Sequence, residues 1–370
     1  MHETSRIAGL LQERINDHLD RHANTLTPLG PDALSLVDAA RRFQRGGKRF
    51  RAQFALWGHH AVTGGQAPAQ DGSIDPGLDR VLELGCALEL FHAAALVHDD
   101  IIDNSDTRRG EPATHRAFEA GHREGGWRGS AERFGVAAAI LLGDLLQSWS
   151  DEAFQRAVTG ADTALHASQA RTHFNRMRTE VAAGQYLDVL EEQMGVFAPE
   201  DEQLERSTRV LVYKSAKYSV EAPLLIGAAL AGGSETQEAQ LAGFGLPIGV
   251  AFQLRDDLLG VFGDSELTGK PSGDDLREGK RTVLIALTRA ALNASTQRLF
   301  DEMIGDPDLT AEQISMLQRT IRDSGAVERV EQMIAQNVTL AERALEGETL
   351  APTAVTALRT LAKRATARNS

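Results

Sequence analysis

The chain has little of several residue types that define other protein classes. It contains one cysteine in 370 residues, Cys86, so no disulfide can form within it, which favours a reducing compartment. Aromatic residues make up 5%, and alternating β-branched runs are scarce, which argues against a β-sheet fold. Basic charge is not in excess either: 52 acidic and 39 basic residues give a net charge of −13, which argues against nucleic acid as the main partner.

Long apolar runs are also missing. The longest, such as VAAAILL at 136–142, are too short to span a bilayer. The first residues, MHETSRIAGLLQERI, are charged and lack the apolar core of a signal peptide. We therefore expect a soluble, cytoplasmic protein without a transmembrane segment. Cys86 lies in the apolar run LELGCALELF, which predicts a buried, unreactive thiol.

What the chain does have is helical periodicity. Apolar residues recur at spacings of three and four, as at Leu84, Leu88, Phe91 and Ala95. Segments rich in glycine, proline and small polar residues predict loops at 63–77, 120–130, 231–236 and 262–275. The sequence therefore predicts an all-α fold, a single-domain bundle of about ten long antiparallel helices over residues 1–370. The 120–130 loop suggests no function.

An aspartate-rich segment, LVHDDIIDNSDTRRG at 96–110, follows an apolar helical pattern. At about 100° per residue, Asp99, Asp100 and Asp103 are expected on one face at the end of the helix. The helix dipole disfavours negative charge there, and a bound cation would offset that cost. Oxygen ligands suit Mg²⁺, and the guanidinium groups of Arg108 and Arg109 suit phosphate. The segment predicts a diphosphate site, with a solvated acidic helix end as the alternative.

A second acidic helix end is predicted in FQLRDDLLGVFGD at 252–264, where Asp256 and Asp257 end an apolar run. Gly260 stands where the first cluster has its third aspartate. Lys270 and Lys280 follow in a glycine-rich loop. Because two acidic helix ends far apart in sequence are each followed by basic residues, we expect them to form two facing walls of one cavity.

Three shorter motifs add polar side chains. RGGKRFR supplies Lys48 and Arg51 beside two glycines, which allow a close backbone approach to a phosphate. YKSAKYS supplies Lys214, and GQYLD supplies Gln185 on a long predicted helix. Taken one at a time, each motif is as readily a solvated surface segment.

In this order, GGKRFR, HDDIID…RRG, GQYLD, YKSAKYS, FQLRDDLLG and GKPSGDDLREGK resemble the motifs of the trans-isoprenyl diphosphate synthase (polyprenyl synthetase) family. The similarity covers about residues 30–300. It implies the isoprenoid synthase fold, with long helices around a deep apolar cavity, and also three Mg²⁺ ions and a homodimer. The implied reaction is head-to-tail condensation of isopentenyl diphosphate with an allylic diphosphate, by ionisation, condensation and elimination, to a linear all-trans product.

The resemblance also implies a role for each motif residue. Metal binding falls to Asp99, Asp100 and Asp103 for two ions and to Asp256 and Asp257 for the third. Binding of the allylic diphosphate falls to Arg108, Lys214, Lys270 and Lys280. Binding of isopentenyl diphosphate falls to Lys48, Arg51, His92 and Arg109. Gln185 and Gln253 would face the reacting carbons. Gly260 departs from the family pattern, and we expect activity to survive it.

Product length is the open question. Small residues at Ala94 and Ala95 leave room behind the first cluster. Phe91 lies about 12 Å from Asp99 along the helix axis and is a candidate floor for a twenty-carbon product, geranylgeranyl diphosphate. If Phe91 is ordinary core, a longer product follows; farnesyl diphosphate is the shorter alternative. A terpene cyclase and a non-catalytic synthase subunit are the alternative hypotheses. His92 and GGKRFR argue against a cyclase, which would need no isopentenyl diphosphate site. The presence of all three aspartates in the first cluster argues against a non-catalytic subunit.

Overall fold

α-Helices dominate the computed structural model, which describes residues 2–65, 75–263 and 272–367. The helices are His2–Leu26 (α1), Pro31–Phe43 (α2), Phe50–Thr63 (α3), Pro76–Ile102 (α4), Thr114–Glu124 (α5), Ala131–Thr159 (α6), Ala164–Met194 (α7), Gln203–Val210 (α8), Ala222–Leu230 (α9), Glu235–Phe262 (α10), Asp274–Glu278 (α11), Val283–Ala291 (α12), Ala294–Met303 (α13), Ala311–Asp323 (α14), Ala326–Ala344 (α15) and Pro352–Thr366 (α16). A π-helix, Leu211–Glu221, lies between α8 and α9. Two-residue strands, Thr107–Arg108 (β1) and Glu111–Pro112 (β2), pair antiparallel. The predicted all-α fold is confirmed.

The chain forms two compact units. Unit 1 comprises residues 1–170 and 227–232, and unit 2 comprises residues 171–226 and 233–370. Unit 1 carries the GGKRFR motif and the first aspartate cluster, and unit 2 carries the lysine motifs and the second cluster. A single domain over residues 1–370 stays a prediction.

Helix α4 is a mostly apolar helix of unit 1 and is buried over most of its length. Asp75 caps its N-terminus, since the carboxylate accepts hydrogen bonds from the backbone N–H groups of Gly77 (2.8 Å) and Leu78 (3.2 Å). The helix is long and apolar enough to cross a membrane, yet 78% of its most apolar window is buried inside the protein. Ser150 of α6 donates a hydrogen bond to the carbonyl of Ala87 (2.7 Å), both buried. These features make α4 a core helix.

In unit 2, helix α10 packs against the π-helix and α15. Ser234 and Gln237 form a capping box that fixes the start of α10. Close packing depends on glycine further along, because a Cβ on Gly249 would lie 2.8 Å from the Cα of Ala216 in the π-helix. The last turns of α10 bury Leu254, Leu258 and Val261 in the core of this unit. This packing fixes the helix that carries the second aspartate cluster.

Acid is expected to destabilise the protein through His22, whose ring stacks on Trp149 with centroids 4.3 Å apart. Burial, with nearby positive charge, lowers its pKa from about 6.5 to about 4. Between those values the unfolded chain binds a proton that the folded chain does not, so the free energy of unfolding falls as pH falls from 6.5 to 4. His22→Phe keeps the stack, and its urea midpoint should fall less than that of the wild type between pH 7 and pH 5. Equal falls would contradict this assignment.

Candidate active site

The C-terminal end of α4 carries the first aspartate cluster. Asp100 is fully buried, whereas the side chain of Asp99 is 20% exposed and Asp103, which ends the helix, is half-buried. Asp99 and Asp103 are four residues apart and therefore share a face of the helix. The structure thus differs from the expectation that all three carboxylates share one face, because Asp100 points inward.

The β1–β2 hairpin positions the two arginines that follow. Arg109 and Gly110 both have positive φ (55° and 78°), as a two-residue type I′ turn requires. Arg108, in β1, donates a hydrogen bond from Nε to Oδ1 of Asp100 (2.8 Å), and its Nη2 lies 3.4 Å from Oδ2 of Asp99. Asp100 therefore holds Arg108 in place beside the outward-facing carboxylate.

Arg109, at the tip of the hairpin, lies against the GGKRFR loop. A Cβ on Gly47 would be 3.5 Å from both terminal nitrogens of the Arg109 guanidinium. Gly47 has φ of 88°, a conformation that favours glycine, whereas a Cβ at this position would make only ordinary contacts with Arg109. The guanidinium carbon of Arg109 is 5.9 Å from the centroid of the Phe43 ring. Unit 1 thus brings together two basic motifs that are separate in the sequence.

His92 lies among the same cations. Burial lowers its pKa well below the usual value, and the charges of Arg51 and Arg109 lower it further. Burial also lowers the pKa of Arg109. The structure therefore gathers Arg51, His92 and Arg109 in one positively charged region, with a neutral imidazole. Lys48 is exposed in the loop between α2 and α3.

Arg49, the middle basic residue of GGKRFR, has a structural role that the sequence did not reveal. Its guanidinium donates to Glu89 (3.0 Å) and to Gln12 (2.9 Å). The side chains of Arg49 and Glu89 are 8% and 4% exposed, so this is a buried ion pair. Arg49 also has φ of 49°, in the left-handed region, immediately before α3 begins. The pair fixes the loop that presents Lys48 and the start of α3, where Arg51 lies.

In unit 2, Asp188 of α7 binds two of the predicted lysines. Its Oδ2 is 2.5 Å from Nζ of Lys214 and 3.3 Å from Nζ of Lys280. Lys280 also donates to Glu192 (2.8 Å), which lies one turn further along α7. Gln185 is half-buried one turn before Asp188. Asp188 and Glu192 hold the ammonium groups in place, a role that the sequence analysis did not assign.

The π-helix that carries Lys214 packs closely on α7. A Cβ on Gly184 would lie 2.8 Å from Cα of Lys214 and closer still to its backbone nitrogen. The glycine therefore allows the π-helix backbone to approach α7, which brings Lys214 to Asp188. Lys217 reaches a different turn of α7 and donates to Glu180 (3.1 Å). π-Helices are rare and occur frequently at functional sites.

The second aspartate cluster repeats the arrangement of the first. Asp256 is exposed, whereas Asp257 is buried and accepts a hydrogen bond from Nε2 of Gln253 (2.7 Å). Burial raises the pKa of Asp257 well above its usual value; the hydrogen bond from Gln253 lowers it, and the negative charge of Asp275 raises it again. In each cluster the first aspartate faces outward and the second faces inward.

The carboxylates of the two clusters are the candidate ligands for Mg²⁺. Within residues 2–65, 75–263 and 272–367, no three histidine, cysteine, aspartate or glutamate side chains converge to hold a metal ion. Mg²⁺ usually takes one or two protein carboxylates together with water and substrate phosphate. Asp99 and Asp103 supply two such oxygen donors on one helix face. Lys270 lies outside the described residues.

The proposed product floor lies on α4 behind Asp99. Phe91 and Ala94 are buried, and Ala95 is half-buried. Phe91, Ala95 and Asp99 are spaced by four residues and share one face of the helix. Along this face, moving away from the aspartate cluster, the first side chain, Ala95, is therefore small and the next, Phe91, is bulky. The roles that the resemblance implies for the site residues stay proposals.

Comparison with known proteins identifies the class. The polyprenyl synthetase family matches residues 36–321, and the chain belongs to that family. A short chain isoprenyl diphosphate synthase of Methanothermobacter thermautotrophicus is 32% identical over 88% of each chain. A geranylfarnesyl diphosphate synthase of Aeropyrum pernix is 29% identical over 85% of this chain and 87% of its own.

A solved structure extends the similarity to the whole fold. The crystal structure of geranylgeranyl pyrophosphate synthase from Corynebacterium glutamicum, complexed with isoprenyl diphosphate and magnesium, is 38% identical to this chain. It covers 98% of this chain and 99% of its own, with a TM-score of 0.90. The predicted fold of isoprenoid synthase type is therefore confirmed.

Proposed function

We propose that this chain is a Mg²⁺-dependent prenyltransferase that condenses isopentenyl diphosphate with allylic diphosphates and releases geranylgeranyl diphosphate. One observation carries the proposal: in unit 1 Arg108 lies beside Asp99, and the adjoining hairpin tip holds Arg109 against the GGKRFR loop. A site for one diphosphate with metal and a basic region for a second diphosphate are what a two-substrate condensation needs. A terpene cyclase, which ionises one substrate, has no use for the second region.

The aspartates and Arg108 have distinct proposed roles. Asp99 and Asp103 would hold Mg²⁺ on the allylic diphosphate, as would Asp256. The metal would neutralise charge on the leaving oxygens as the allylic carbon–oxygen bond ionises. Asp100 orients Arg108, which would stabilise the departing diphosphate. Asp257 is held in place by the hydrogen bond from Gln253.

The family resemblance also assigns cations of unit 2 to diphosphate binding. Lys214 and Lys280 would bind diphosphate oxygens, and Asp188 keeps their ammonium groups close together before substrate arrives. Such preorganised charge lowers the energy of the ionised state without reorganisation during the reaction. Lys48, Arg51, His92 and Arg109 would bind the diphosphate of isopentenyl diphosphate. Its alkene then attacks the allylic cation, and the released diphosphate accepts the proton that is lost.

A homodimer and a cytoplasmic location belong to the same proposal. Helix α6 exposes Phe134, Ile140 and Leu141, three large apolar side chains that a second copy of the chain would cover. The lone thiol, Cys86, is buried, which suits a reducing compartment. Three Mg²⁺ ions are the number that the family resemblance implies.

The test of this function is a product assay. Purified protein is incubated with Mg²⁺, isopentenyl diphosphate and, separately, dimethylallyl, geranyl and farnesyl diphosphates, and the dephosphorylated products are identified by mass spectrometry. A linear twenty-carbon alcohol is expected. A hydrocarbon formed without isopentenyl diphosphate would make the chain a cyclase, and no product with any substrate would make it a non-catalytic subunit.

Phe91→Ala is expected to lengthen the product beyond twenty carbons. Removing the ring opens the α4 face beyond Ala95, so the growing tail has room for at least one more five-carbon unit. Leu90→Ala, a truncation of the fully buried neighbouring residue on a different face of α4, is the matched control and should leave product length unchanged. Chromatography of the dephosphorylated products measures both. An unchanged product from Phe91→Ala would mean that Phe91 is ordinary core.

A further inference from the structure

Unit 2 contains a small cavity that the proposed reaction does not use. Its volume is about 20 Å³, and a cavity needs roughly 10 to 15 Å³ to hold one water molecule. Residues of α7, α8 and α12 line it, together with the segments that follow α7 and precede α12. Two arginines, Arg281 and Arg289, belong to this lining. The cavity therefore has room for one small species beside two cationic residues.

The ion pairs around this cavity contain more guanidinium groups than carboxylates. Glu191 pairs with Arg206 of α8, whose Nη2 is 2.6 Å from the carboxylate. Asp301 of α13 pairs with two arginines, Arg281 (3.1 Å) and Arg289 (2.8 Å). These five side chains are at most 20% exposed, and they carry three positive charges and two negative ones. Because an uncompensated charge is unfavourable away from water, the cavity favours a bound negative charge.

Asp301 does not use all the N–H groups of the two guanidiniums that it pairs with. Arg281 donates to it through Nη1, and Arg289 donates through Nε. Among the described residues, Nη2 of Arg281 and the terminal nitrogens of Arg289 have no acceptor, and neither has the buried Nε of Arg281. Burial lowers the pKa of Arg281, although the charge of Asp301 raises it. The shared carboxylate thus offsets only part of the cost of burying this cation.

The other polar groups of the lining already have partners. Ser207 donates a hydrogen bond to the carbonyl of Leu204 (3.2 Å), and Gln203 donates to the carbonyl of Gly195 (3.1 Å). Both carboxylate oxygens of Glu191 accept hydrogen bonds from its partner arginine. The groups that remain for a ligand are therefore the N–H donors of the two lining arginines. Such a lining suits a species that accepts hydrogen bonds and carries negative charge.

We propose that this cavity binds one small monovalent anion, of the size of chloride, held by Arg281 and Arg289. One negative charge balances the excess of one positive charge, and a cavity with room for one or two water molecules is too small for the four oxygens of a phosphate. Arg281 directly follows Lys280, whose ammonium group lies 2.8 Å from Glu192. The ion therefore stabilises the segment that presents this lysine, and the proposal does not depend on the proposed function.

Thermal unfolding in two sodium salts tests the proposal. Chloride fits the cavity, whereas gluconate, a six-carbon carboxylate, does not, and the two are compared at equal ionic strength. A ligand that binds only the folded chain raises its unfolding midpoint, and we expect chloride to raise that of the wild type by about 2 to 4 °C more than gluconate does. Arg281→Gln should lose this difference, because the charges of Asp301 and Arg289 then balance one another.

Arg298→Gln is the matched control and should keep the difference of the wild type, since Arg298 is an exposed arginine of α13, the helix that carries Asp301. Bromide, located by its anomalous scattering in crystals of the wild type, shows the ion directly and does not require that any variant folds. We expect a bromide ion in contact with Arg281 and Arg289. The proposal is overturned if no bromide lies there, or if Arg281→Gln keeps the same difference between chloride and gluconate as Arg298→Gln.

Discussion

Asp99→Asn should lower kcat/KM for the condensation by about 10²- to 10³-fold, the cost of removing one group that stabilises charge in a transition state. Asp99 is the outward-facing carboxylate of the first cluster, next to Arg108. The amide has the same shape, but it loses the negative charge that would hold Mg²⁺ on the allylic diphosphate. We expect the Mg²⁺ concentration at half-maximal rate to rise as well, as measured by titrating Mg²⁺ at fixed substrate.

Asp106→Asn is the matched control for this result. Asp106 lies in the same segment, but its side chain is 79% exposed and pairs with Arg116 (2.8 Å). Losing an exposed ion pair of this kind changes stability by about 1 kcal/mol or less. Activity within about twofold of the wild type is expected. An Asp99→Asn enzyme that is as active as this control would remove Asp99 from the proposed metal site.

The presence of helix α4 and the place where it ends were predictable because they depend on local patterns. The spacing of three and four in α4 predicted a helix up to the aspartates, and it ends at Ile102, with Asp103 as its cap. The start of α4 also depends on neighbouring residues. Asp75 is its N-cap, and Pro76 occupies the first helical position, which proline favours. The burial of Cys86 follows from the same apolar run.

The direction in which each aspartate points could not be predicted so well. A helical projection gives the angles between Asp99, Asp100 and Asp103, but not the rotation of α4 against its neighbours. That rotation is set by packing, such as that between α4 and α6, and it turns Asp100 inward to Arg108. The inward position of Asp257 has the same kind of cause.

The π-helix and the supporting ion pairs could not be predicted from the sequence either. A π-helix has no simple apolar period, and this one depends on close backbone approach at Gly184 and Gly249. Asp188 was visible in GQYLD, but its two lysine partners come from distant segments. Asp275 was visible in the glycine-rich loop motif, yet only the three-dimensional structure places it beside Gly260.

Arg49→Met should lower the free energy of unfolding by about 3 to 5 kcal/mol, the usual cost of removing one partner of a buried ion pair. Methionine fills most of the space of the arginine stem, but it leaves the Glu89 carboxylate buried without the guanidinium, and Gln12 loses its hydrogen bond. Urea denaturation at pH 7 measures the change. Arg45→Met, an exposed arginine four residues earlier, is the matched control and should change stability by about 0.5 kcal/mol or less.

The same variant separates folding from substrate binding within one motif. Because Arg49 fixes the loop and Lys48 is exposed on it, Lys48→Met should keep nearly the stability of the wild type while raising KM for isopentenyl diphosphate. Arg49→Met should lower stability and also raise that KM, since a loosened loop no longer holds Gly47 against Arg109. An Arg49→Met protein with wild-type stability would mean that the buried pair contributes nothing net. A Lys48→Met protein with wild-type KM would remove Lys48 from the proposed isopentenyl diphosphate site.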